Sequence, residues 1–132
     1  AYLAGANLAD ADLAGAKNIP APSPEEIMRL DEVREIVLKK PERLKMSGWH
    51  FGEWTPEHTP EEEHKCGSAH CIAGWLQALS PDQKVREMEP QAAGTLLAPA
   101  SAYMFTASDP VALQWLKDRG YARQAEAQPS AK

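Results

Sequence analysis

Both cysteines and all four histidines of this chain fall between His50 and Cys71, and the densest part is Lys65-Cys66-Gly67-Ser68-Ala69-His70-Cys71-Ile72-Ala73-Gly74-Trp75. Thiolate and imidazole are soft ligands, so His64, Cys66, His70 and Cys71, with His50 and His58 upstream, can supply a tetrahedral zinc site. Spacing argues against using all four. His70 and Cys71 are neighbours, about 100° apart around a helix, and there is no Cys-x-x-Cys pair. The set that survives is His64, Cys66 and either His70 or Cys71, with zinc as the only cofactor the sequence suggests. A second chemistry is redox. Cys71 is expected in the first turn of a helix, where aligned amides favour a thiolate, and a Cys66–Cys71 disulfide would more readily be structural than catalytic. The plainest account makes Cys71 a small buried hydrophobe, leaves Cys66 partly exposed and bonds His70 to a loop carbonyl.

Nucleophilic catalysis is the remaining chemistry. Cys66-Gly67-Ser68 resembles the Cys-Gly-Ser-Cys-Trp signature of papain-like proteases, whose second cysteine opens a helix beside a histidine base. Here two extra residues intervene and no histidine follows His70, whereas that family needs a distant downstream base. No other nucleophile with a base, no glycine-rich phosphate loop and no basic aromatic stripe occurs, so no catalytic residue is assigned.

Helices must position this stretch. Ser68 is the expected cap of a central core helix with Ile72, Trp75, Leu76 and Leu79 inward and Ala69, Ala73 and Gly74 as small packing surfaces. Upstream, Ser23, Pro24 and Glu26 form an N-cap, a first-turn proline and a capping-box acid. They open a helix through Lys40 whose stripe is Ile27, Leu30, Val33, Ile36, Val37 and Leu38. A short helix from Pro41 to Met46 follows, with Leu44 and Met46 as core. From Ser47 to Lys65 periodicity vanishes and Gly48, Gly52, Pro56 and Pro60 mark a long loop. Glu61, Glu62 and Glu63 read as its solvated tip. Trp49 and Trp54 either anchor that loop to the core or line a partner groove. Downstream, Ser80-Pro81 begins a short helix to Met88. Glu89-Pro90 opens another with Ala93, Leu96 and Leu97 inward, stopped by Pro99. Tyr103, Met104 and Phe105 read as a loop insert. Asp109-Pro110 starts the last helix, with Gly120 as its C-cap.

The first 19 residues follow a different rule. Leu3, Leu8 and Leu13 recur every five residues, as do Ala1, Ala6, Ala11 and Ala16. Residues five apart rotate about 140° around a helix, so an alanine-rich helix would not align them. The pattern, with Asn7 and Asp12 before two of the leucines, resembles the pentapeptide-repeat family. That resemblance implies a right-handed four-sided β-helix with these leucines and alanines inside. The match breaks at Asn18, so residues 1–19 are expected to be the last partial coil of a longer repeat region in a bacterial parent protein. Trp49-His50 and Cys66 through Trp75 resemble a small helical domain that follows pentapeptide repeats, here interrupted by Phe51 to Lys65; no activity attaches to it.

The expected organisation is therefore mostly α: a terminal coil over 1–19, a proline-rich linker over 20–23, a helical domain over 24–121 and a disordered tail over 122–132. The chain has 132 residues, 43% hydrophobic and 25% charged, with net charge -5 and a pI near 5.3. Such a balance does not suit direct nucleic-acid binding. No apolar run reaches the roughly 20 residues of a membrane span. The expected role is a non-catalytic interaction or capping module in the cytoplasm, with a protein partner and a homodimer as the expected assembly. An open β-helix end exposes unpaired backbone and apolar edges that a helical domain can cover. Two other readings are a gyrase-directed DNA mimic, implied by the pentapeptide resemblance, and a metal- or thiol-dependent site at Cys66, His70 and Cys71.

Overall fold

The computed structural model describes residues 21–52, 54–65 and 67–122. The expected pentapeptide coil, Cys66 and residues 123–132 of the expected tail lie outside them. What is described is mostly helical, without a closed sheet.

Helix α1, Pro24–Lys39, starts where the sequence places it: Ser23 Oγ accepts from the Glu26 N–H at 3.1 Å, and proline opens the first turn. Its buried face is Leu30, Val33, Ile36 and Val37. The helix expected from Pro41 shortens to a 3₁₀ turn, Pro41–Arg43. Leu44 is then extended and forms a parallel bridge to His70, with the Lys45 N–H donating to the His70 carbonyl.

The expected long loop contains two short elements, strand β1, His50–Phe51, and helix α2, Pro60–Lys65. Strand β2, Ala69–His70, pairs antiparallel with β1, placing His50 opposite His70 and Phe51 opposite Ala69. Ser68 therefore cannot cap the central helix, because extended backbone follows it. Helix α3, Ile72–Ala78, is capped by Cys71, whose sulfur accepts from the Gly74 N–H at 3.3 Å. All of its residues are buried.

Helix α4 is the short stretch Gln83–Arg86, capped by Asp82 rather than Ser80. Helix α5, Pro90–Leu97, buries Ala93, Gly94 and Leu97 against α3. Leu96, expected inward, is 61% exposed. A second 3₁₀ segment, Pro99–Met104, takes the place of the expected loop insert. Helix α6, Asp109–Lys117, ends at Asp118. Arg119 adopts the left-handed conformation there (φ 50°) instead of Gly120. Gly120 instead lies against the Trp115 indole. The core centres on Ile72, Trp75 and Leu76, with Leu30, Val33, Met104 and Leu116 around them.

Candidate functional site

The β1–β2 register determines the site. Cross-strand partners in an antiparallel pair carry their side chains on one face, and the His50 and His70 Nδ1 atoms lie 2.7 Å apart. His70 is fully buried. Its Nε2 lies 2.7 Å from Glu63 Oε1, and the other oxygen of that carboxyl lies 2.9 Å from His58 Nδ1. On the far side His50 Nε2 meets Gln77 Oε1 at 2.8 Å. Gln77 Nε2 faces the carbonyls of Val85, Arg86 and Met88 at 3.1, 3.2 and 2.7 Å, which orients its oxygen towards His50. The result is a continuous polar chain: His58, Glu63, His70, His50, Gln77.

Glu63, expected at a solvated tip, is instead fully buried, with 0% exposure. Arg43 explains how α2 turns it inward. The guanidinium donates to the carbonyls of Glu63, His64 and Ser68, holding the end of α2 against β2, and stacks over the Trp75 ring at 4.8 Å. Trp75 Nε1 in turn donates to the Arg43 carbonyl at 2.9 Å. Trp54 stacks on His50, ring centroids 3.9 Å apart. The Trp54 indole N–H is buried and has no acceptor among the described residues. Trp49 packs on the core, and its carbonyl accepts from the Cys71 N–H.

Burial dominates the electrostatics. It pushes the His50 imidazolium down to about 4, against the pull of Gln77 and Glu63. It also lowers His70, although Glu63 favours the charged ring. Cys71 carries a free thiol that burial pushes up to about 11, outweighing the amides of Gly74 and Ala73. The expectation that the helix start would favour a thiolate there is thus reversed by desolvation.

Of the expected metal ligands, His64 turns away to Glu32 Oε2 at 2.8 Å, His70 has both ring nitrogens engaged, Cys71 caps α3 and Cys66 is outside the described residues. Among the described residues no three His, Cys, Asp or Glu side chains converge as a metal site would require. His70 was also expected on a loop carbonyl. It bonds side chains instead, because the β-register brings His50 to it.

Sequence reasoning missed Arg43, Glu63 and Gln77 as site residues. The signal for Gln77 was present: it is the lone polar residue in the otherwise apolar run Ile72–Leu79, and a polar group on such a helix needs internal partners. Among the described residues, no helix is long and apolar enough to cross a membrane. Comparison with family models, with curated proteins and with solved structures finds no match to this chain.

Proposed function

We propose that the helical domain is a non-catalytic interaction or capping module, and that its partner is the open end of the pentapeptide-like coil formed by residues 1–19. The observation that carries this reading is the closed polar chain. His50 and His70 spend both ring nitrogens inside the protein, and Cys71 spends its sulfur on a helix cap. The groups best suited to chemistry thus hold the fold together.

Surface chemistry supports it as well. Leu76, Leu79, Val85 and Leu97 line a cleft of ≈ 270 Å³ whose rim carries Arg29, Glu32, Ser80 and Asp82. Met28 and Leu96, the sequence neighbours of two wall residues, are exposed.

The test compares a run of pentapeptide coils joined to residues 20–122 with the same coils alone. Sedimentation velocity is expected to find the joined protein monodisperse and the bare coils associating through their ends. Equal association of both would overturn the reading.

A further inference from the structure

The geometry points to an extra proton held in the Glu63–His70–His50–Gln77 chain, one more than these side chains carry in the unfolded protein above neutral pH, so that folding of this domain takes up a proton. The count comes from the hydrogen bonds. Glu63 Oε1 to His70 Nε2 (2.7 Å), His70 Nδ1 to His50 Nδ1 (2.7 Å) and His50 Nε2 to Gln77 Oε1 (2.8 Å) each need one hydrogen. Gln77 Oε1 can only accept, so the last hydrogen sits on His50 Nε2. That leaves His50 Nδ1 as the acceptor for a neutral His50, and the second hydrogen on His70 Nδ1. A neutral His70 then presents a bare Nε2 to Glu63, and the bond forms only if a further hydrogen lies between them. A carboxylate with two neutral imidazoles supplies two hydrogens where three are required.

In the uncharged arrangement Glu63 donates to His70, His70 to His50 and His50 to Gln77, all in one direction. Burial of His50 and His70 disfavours their charged forms and so favours this arrangement over an imidazolium facing a carboxylate. Among the described residues the facing groups include His58 on the second Glu63 oxygen, the Arg43 guanidinium at the end of α2, and the rings of Trp54 and Trp75. A metal ion does not replace the hydrogen between the two Nδ1 atoms. Ligands about 2.0–2.1 Å from one tetrahedral ion stand roughly 3.3 Å apart, well beyond the 2.7 Å found.

The sign follows from linkage. Unfolded histidines titrate near 6.5 and glutamate near 4.3, taken as about the ordinary values. Above about pH 6.5 the folded chain holds a proton that the unfolded chain has released, so stability falls as pH rises. Between about 4.3 and 6.5 both unfolded imidazoles are charged, the unfolded state holds more protons, and stability rises with pH. The contribution peaks near the ordinary histidine value.

The test is urea unfolding of the 132-residue chain and its Glu63→Gln variant from pH 6 to 9. The carboxamide N–H of E63Q can donate to His70 Nε2, keeping all three bonds with neutral rings and no extra proton. The wild-type folding constant is expected to fall relative to E63Q by up to about tenfold per pH unit above pH 7; parallel curves overturn the proposal. Should E63Q fail to fold, imidazole ¹⁵N spectra of the wild type at pH 8 decide. A hydrogen is expected in both the Nδ1–Nδ1 and the Glu63–His70 Nε2 bonds, with the Glu63 carboxyl ¹³C signal read alongside; two bare Nδ1 atoms, or an ionised Glu63 facing a neutral His70, overturn it. One equivalent of zinc in the purified protein, whose chelation shifts both ring signals, also overturns it.

Discussion

Gly74 is where the central helix meets the first strand, and its missing side chain makes room for the polar chain. A Cβ there would stand 1.9 Å from the Trp49 carbonyl oxygen and 3.1 Å from His70 Cβ. The Trp49 oxygen is backbone and already accepts from the Cys71 N–H, so it cannot swing aside as a side-chain tip could. Gly74→Ala must therefore push β1 off α3 and pull the His50 ring from both its partners. The expected cost is on the order of 3 kcal/mol or more, at the upper end for an overpacked site. Gly67 provides the control, since a Cβ there meets nothing within 4 Å, and Gly67→Ala is expected to stay within about 0.5 kcal/mol of wild type. Urea midpoints followed by tryptophan fluorescence compare the two, and equal midpoints would refute the account of Gly74.

Among the elements, α1 shows how far local signals reach. Its cap, first-turn proline and apolar stripe are local features, and they put the helix at Pro24–Lys39. Glu26, read as the capping-box acid, is used otherwise. Its carboxylate accepts from the Ala100 N–H at 3.3 Å and the Ser101 hydroxyl at 2.7 Å, tying α1 to the second 3₁₀ segment. The contact spans more than seventy residues of sequence, and no local pattern could announce it. The same limit hid the site. Strands of two residues have no periodicity to read, and Glu63 and Gln77 become partners of the histidines only through the β1–β2 register. Three helices with a proline in the first turn, α1, α5 and α6, are legible because an apolar stripe follows their local start signal, whereas α2, opened by Pro60, has no apolar residue to mark it. Burial raises the Glu26 carboxyl above its ordinary value, outweighing Ser101, Ala100 and Arg29. A raised folded value gives stability that is complete below the unfolded value, about 4.3, and lost as pH rises through the folded one. Glu26→Gln removes that titration, so its stability relative to wild type is expected to improve from pH 4 to pH 7. Paired urea titrations at each pH measure this, and a gap moving the other way would contradict the assignment.

Across the whole molecule, arginines close the ends that the backbone leaves open. The last carbonyls of a helix have no partner within it, and a guanidinium offers several donors in a rigid fork. Arg29 donates to the carbonyl of Leu97 at the end of α5, and Arg34 to Leu116 and Lys117 at the end of α6. Arg43 takes Glu63 and His64 at the end of α2 together with Ser68, and Arg86 takes Ser80 just past α3. Arg119 works differently, gripping the Asp31 carboxylate with two donors while Tyr121 donates to the same group. Apart from the local Arg86–Ser80 bond, these links join segments far apart in sequence, so losing one should act on the segment it holds. Arg43 is buried, with 8% exposure, and its guanidinium holds the end of α2 to β2 through three carbonyls. A lysine ammonium can reach one of the three carbonyls, leaving two partly desolvated acceptors at about 1–3 kcal/mol each. Arg43→Lys is expected to cost on the order of 3 kcal/mol and to open the segment 54–59 before α2 to protease ahead of global unfolding. Arg34→Lys, whose bond to Lys117 is solvent-exposed, should cost about 1 kcal/mol, because water can replace the lost donor. Limited proteolysis in parallel with urea unfolding separates the cases: if the two lysine variants lose stability equally and that segment stays resistant in both, Arg43 is not what holds Glu63 in place.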